Sequence, residues 1–126
     1  MANIIGLHEV LNNNRHLHIQ VDIEGDGSGD ERVTIGNPSL HSCTDFRVDR
    51  VHGQLEGFNA YLEWEGATRV PTMHMLNDDY FDLHPKQGVV NPRVANWTGA
   101  INLVTDGLTA GEVGSISVEL FKKGIP

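Results

Sequence analysis

Residues 16–24 read HLHIQVDIE, and their alternation decides the fold. Leu17, Ile19, Val21 and Ile23 fall on one side of an extended chain, while His16, His18, Gln20, Asp22 and Glu24 fall on the other. Successive side chains of a β-strand point to opposite faces, so this stretch is a strand with one face in an apolar core and one in water. RVTI at 32–35 repeats the pattern with Val33 and Ile35, and GFNAYLEW at 57–64 places Phe58, Ala60, Leu62 and Trp64 together. INLV at 101–104 and SISVELF at 115–121 complete the set, the latter with Ile116, Val118 and Leu120 inward. FRVDRVHGQL at 46–55 starts in phase at Phe46 and Val48 and then slips, because Val51 has the opposite parity. Such a slip marks a bulge or a turn, expected near Gly53.

Turn-forming residues separate these runs: GDGSGD at 25–30, NP at 37–38, EG at 56–57 and 65–66, DG at 106–107 and AGE at 110–112. Glycine supplies positive φ without steric conflict, and Asp and Asn bond their own backbone. No helical periodicity spans eleven or more residues. Short strands with polar outer faces and no intervening helices predict an all-β, antiparallel, single-domain fold over residues 1–126. A β-sandwich, jelly-roll-like or immunoglobulin-like, is the first expectation and a partly open β-barrel the alternative. Residues 1–15 read as an N-terminal arm with one turn of helix around GLHEVL. Residues 77–99, NDDYFDLHPKQGVVNPRVANWTG, contain two prolines and no alternation, and are expected to form a long irregular loop.

The 126 residues include nine basic and seventeen acidic side chains, a formal charge of −8. That balance repels phosphate backbones and anionic bilayers, so neither nucleic acid nor membrane is an expected partner. The N-terminus MANIIGLHEV lacks the basic region of a secretory signal, and no stretch approaches the roughly 20 apolar residues of a membrane helix. A cytosolic site of synthesis is therefore expected, and NWT at 96–98 is not read as a glycosylation acceptor. The single cysteine, Cys43, cannot form an internal disulfide and reads as a small, partly buried apolar residue. His41 lies two residues away, a spacing that on an extended chain proves no contact.

Five carboxylates crowd DIEGDGSGDE at 22–31. A calcium loop of EF-hand type begun at Asp22 has Glu24, Asp26 and Ser28 at its third, fifth and seventh positions and Gly27 at its sixth. It fails at the twelfth, where Val33 replaces the bidentate acid, and at the eighth, where Gly29 stands. A start at Asp26 puts Glu31 at the glycine position. The stretch reads as a hairpin connection with hydrated carboxylates.

His16 and His18 share a strand face, a spacing that resembles the HxH pair of cupins. Val10 occupies the position of the cupin glycine, and Asp22 or Ile23 that of its glutamate. A third ligand would have to come from His52, His74 or His84, which nothing in the spacing selects. No nucleophile elbow and no phosphate-binding glycine loop occurs. No catalytic, cofactor or metal residues are therefore assigned. Tyr61, of outward parity, and Tyr80, Phe81 and Trp97 in the irregular segment are the interface candidates. Exposed aromatics of this kind anchor protein contacts or stack on sugar rings.

Three stretches together, DGSGDERVTI at 26–35, GFNAYLEW at 57–64 and TGAINLVTDGLTAGEVGSISVEL at 98–120, resemble a family of small virion proteins of tailed bacteriophages. The shared features are an Asp-Gly-x-Gly turn after the first long strand, a Gly-Phe-x-x-x-Leu-x-Trp strand followed here by Glu65, a Thr-Gly-x-Ile strand and a closing Ser-Ile-x-x-Glu strand. The resemblance leaves out the first fifteen residues and 77–97, and His16–Leu17–His18 is not part of its pattern. It implies a non-enzymatic structural role, as a capsid decoration (cement) protein or as a small tail or head–tail junction component. The implied partners are the major capsid protein or other virion proteins, with self-association, as trimers on local threefold axes, and a location in virions assembled in the host cytoplasm. A carbohydrate-binding β-sandwich using Tyr61 and Trp97 is the alternative. The resemblance carries over no catalytic or ligand residues and implies no cofactor.

Overall fold

The alternation at 16–24 is realised as a strand whose four inward residues are all buried. A computed structural model describes residues 4–82 and 88–124. It contains strands β1 (Ile4–Asn12), β2 (His16–Glu24), β3 (Arg32–Gly36), β4 (Asp45–Trp64), β5 (Val70–Asp82), β6 (Val89–Val90), β7 (Ile101–Asp106) and β8 (Val113–Lys123), with one helical turn, α1 (Pro38–His41). Every strand pairing is antiparallel. The strands form one hydrogen-bonded sheet in the order β1-β2-β8-β4-β7-β3, with β5 and β6 on the other side of β4. The all-β expectation is met in the form of the partly open barrel: this sheet curls into a half-barrel.

Strand β4 explains how one sheet does the work of two layers. Its inward residues run Phe46 and Val48, then Val51, Gly53 and Leu55, then Phe58, Ala60, Leu62 and Trp64. The parity changes twice. The first change is a bulge at Asp49: Val48 faces Leu120 of β8 but Arg50 faces Glu119. The second falls at Glu56 and Gly57, where Gly57 takes φ +90, a conformation that glycine adopts without a Cβ clash. At the second change the strand switches partner, so that one edge of β4 pairs with β8 over Asp45–Leu55 and with β7 over Asn59–Trp64. The slip thus sits at Asp49 rather than near Gly53, and the EG pair at 56–57 is a bulge within a strand, not a turn between strands.

The core lies inside this curl. Rows such as Leu17–Leu120–Val48 and Ile19–Val118–Val51 cross β2, β8 and β4 side by side. Ile101, Leu103 and Trp64 close it from the other half. Each such side chain contributes roughly 1.5–3 kcal/mol on burial.

Two further expectations change. Residues 4–12 form a strand instead of an arm with a helical turn, because β2 offers a full row of backbone partners along nine residues. The helical turn lies at 38–41, where Asn37 caps it through Oδ1 to the Ser39 N–H (3.0 Å), Pro38 opens it and Ser42 ends it at φ 52. The segment 77–99 is only partly a loop. Residues 77–82 extend β5 along β4, from Gln54↔Asp78 to Arg50↔Asp82, and 89–90 form β6.

Candidate interaction surface

Several charged groups among the described residues are tied to one another. Glu63, on the outer face of β4, is nearly fully buried although its parity predicts a wet side chain. The Arg32 guanidinium donates to it through Nε (2.7 Å) and Nη2 (3.2 Å), and Asn102 Nδ2 donates at 3.1 Å. Asn102 also reaches Glu65 (2.7 Å), while its Oδ1 accepts from Thr34 Oγ1 (2.8 Å). Burial pushes the Glu63 carboxyl up, but the Arg32 and Asn102 hydrogen bonds and the Arg32 and Arg69 charges outweigh it and hold the group below its ordinary value. This network stitches β3, β7 and β4 across the outer face.

Asp45 anchors a second network. It is inaccessible to solvent, and its Oδ1 accepts from the Phe46 N–H (2.8 Å) and Asn91 Nδ2 (3.2 Å), its Oδ2 from Arg93 Nε (3.3 Å). Arg93 lies over the Trp97 ring at 4.7 Å. The irregular stretch after β6 is therefore pinned to its own domain by one buried carboxylate. Neither network is visible in the alternation pattern; the only sequence signal is polar residues inside otherwise apolar strands.

The acidic stretch 22–31 does not converge on a point. Asp22 faces His8 at 3.4 Å, Asp26 Oδ1 accepts from the Ser28 N–H, and Asp30 Oδ1 accepts from the Leu108 N–H and Thr105 Oγ1. The Ser28 hydrogen bonds lower the Asp26 carboxyl from its ordinary value. Gly25 packs so closely on the Thr109 carbonyl that no Cβ fits. The glycines and acids together dock this connection against the β7–β8 turn.

His16 and His18 do share the outer face, with ring centroids 6.0 Å apart. His16 meets the Phe121 edge, and His18 Nε2 lies 3.3 Å from Glu119. Among the described residues, no group of three His, Cys, Asp or Glu is arranged to hold a metal ion; His84 falls outside them. Cys43 is half-buried against the core, and burial pushes its thiol pKa up. His41 turns instead to the Asn37 carbonyl (2.9 Å) and Glu9 (3.8 Å).

The aromatic candidates are dispersed. Tyr61 stacks on His74 (5.0 Å), Tyr80 stands exposed edge-on to His52 (5.7 Å), and Trp97 carries Arg93 on one face. The side chain of Phe81 lies outside the described residues.

What the sequence reading missed is β1. Ile4, Leu7, Val10 and Leu11, all on this one strand, make up half of the large exposed apolar side chains among the described residues. Ile4 is 64% and Val10 67% exposed. One side of β1 is paired with β2; no described strand lies along the other. Beside it, Val113 and Gly114 of β8 join Ile4 and Gly6 in lining a largely apolar trough. The signal is present as five aliphatic residues in IIGLHEVLN, whose alternation is poor. Comparison of the chain with protein-family models, with curated proteins and with solved structures finds no match.

Proposed function

We propose that this protein is a non-enzymatic structural subunit of a tailed-phage particle, a capsid decoration protein that stabilises the head through contacts with the major capsid protein. The observation that carries the reading is the concentration of exposed aliphatic side chains on an open sheet edge, in an acidic body whose two buried carboxylate networks are satisfied by their own chain. Exposed apolar surface gathered in one place marks a contact surface. The resemblance to small virion proteins supplies the particle, and the physical reading supplies the mode of action. The experiment is to mix purified protein with genome-expanded heads and measure co-sedimentation and the melting temperature of the shell. Binding with a raised melting temperature is expected. Recovery with tails instead moves the protein to the tail or the head–tail junction, and association with neither overturns the reading.

A further inference from the structure

We propose that β1 is the seam of a twofold dimer, in which β1 of one copy pairs antiparallel with β1 of a second copy and joins the two sheets edge to edge. This rests on the reading of the protein as an assembling subunit, and names the partner that its open edge takes first.

Backbone chemistry sets the geometry. A strand carries two rows of N–H and C=O groups, and β2 occupies only one row of β1. An extended strand is what completes the other. The side chains select which strand. In the β1–β2 register Ile4, Gly6 and His8 face outward, opposite Glu24, Asp22 and Gln20, while Ile5, Leu7 and Glu9 face the core side. A bulge between Glu9 and Leu11 then sets Val10 and Leu11 together near His18, so both turn outward.

This sequence of side chains mirrors itself about Leu7. Antiparallel pairing centred there sets Ile4 against the partner's Val10, the two most exposed aliphatic residues of the strand, at both ends of the seam. Leu7 meets its own twin, and Gly6 meets the partner's His8. Each His8 folds back over its own Gly6 towards Asp22, so no two bulky side chains meet at this pair. Glu9 falls opposite Ile5, but its carboxylate is drawn aside by Asn12 Nδ2 (3.0 Å) and His41.

Charge favours the same partner. The molecule carries −8, yet β1 holds Glu9 as its single carboxylate and no lysine or arginine. Two like-charged copies meet with least repulsion along this neutral strip. A seam of seven residues per copy, 4–10, is small beside the roughly 1,600 Å² of a standard interface, so the dimer is expected to dissociate in the micromolar range. The arrangement is isologous and closes after two copies, not three.

The test uses the full chain. Sedimentation velocity across the micromolar range should show mass rising from 13.9 kDa to twice that value. Val10→Lys, a lysine on an exposed edge position, should weaken association at least about tenfold without altering the far-ultraviolet spectrum. The register is checked separately: in a Cys43→Ser background, Leu7→Cys should give a disulfide-linked dimer on mild oxidation, because the twofold axis sets the two Cβ atoms directly opposite, at about 4.5 Å, where a small shift brings them within disulfide range. A chain monomeric throughout, a trimer indifferent to Val10→Lys, or a dimer that Leu7→Cys fails to link overturns the pairing. Head binding is scored independently. A monomer that decorates heads sinks the seam and keeps the function; a β1-linked dimer that ignores heads does the reverse.

Discussion

Two of the strands that end the sheet, β1 and β3 at the ends of the path through β4, are built on opposite principles. β3 is five residues long, is bulged between Thr34 and Gly36, and sets Arg32 and Thr34 into the Glu63–Asn102 network. β1 is nine residues long, aliphatic, and fixed by polar contacts near its far end: Glu9 near His41, and Asn12 and the Asn13 carbonyl accepting from the buried Lys122 ammonium. Short length, a bulge and charge are the devices that keep a sheet edge from pairing with another chain. One edge has all of them; the other has a bulge and the single carboxylate of Glu9, drawn aside by Asn12 and His41. The contrast teaches that β3 is finished within the molecule, whereas β1 leaves one edge open, as the proposed seam requires.

The largest expected effect falls on what both edges share. Leu17 is fully buried beneath β2, between β1 and β8. Leu17→Ala should destabilise by about 3–4 kcal/mol, lowering the urea midpoint with little change in slope. A loss below about 1 kcal/mol would mean that the core does not lie where the alternation puts it.

Next comes the closed edge. Arg32→Met keeps the aliphatic stem but removes the donor fork from a carboxylate that stays buried, and should cost about 2 kcal/mol. Hydrogen exchange should then accelerate in β3 more than in β1. Acid probes the same pair. Because the folded protein holds Glu63 below its ordinary value, the interaction stabilises fully above the unfolded pKa, near 4.3, and is lost as pH falls through the lower folded value. Stability should therefore drop on acidification through that window, and Glu63→Gln should flatten the drop. An unchanged acid slope in Glu63→Gln would show that the carboxyl titrates as if in water.

How much of this was legible in the sequence follows the same divide. Period-two runs gave the buried faces of β2, β4 and β8 directly, since a strand that buries one face must alternate; β7 is buried on both faces and shows no such contrast. The parity slip after Val48, read as a bulge or a turn near Gly53, is a bulge, but it sits at Asp49. What alternation does not encode is which strands neighbour one another, so the placement of β7 and β8 on one edge of β4 was out of reach. Glu63 and Asp45 were invisible for a related reason: a charged residue at an outward or element-terminal position reads as hydrated until Arg32 or Arg93, tens of residues away, arrives to cover it. β1 failed differently. An edge strand buries little on its free side, so nothing enforces a clean pattern, and its bulge at Val10 scrambles what remains.

The smallest expected effect on folding is also the sharpest test of the comparison. Val10 projects from the open edge, so Val10→Lys exchanges an exposed aliphatic side chain for one that water accepts readily. Surface changes away from buried networks usually stay within about 0.5 kcal/mol. At dilutions where the protein is monomeric, its urea midpoint should match that of the parent within that margin. At higher concentration the parent alone should gain thermal stability with protein concentration, because association draws only on the folded state. Should Val10→Lys instead unfold the dilute monomer as readily as Arg32→Met does, β1 would be an edge as finished as β3, and its aliphatic residues would belong to the fold and not to a partner.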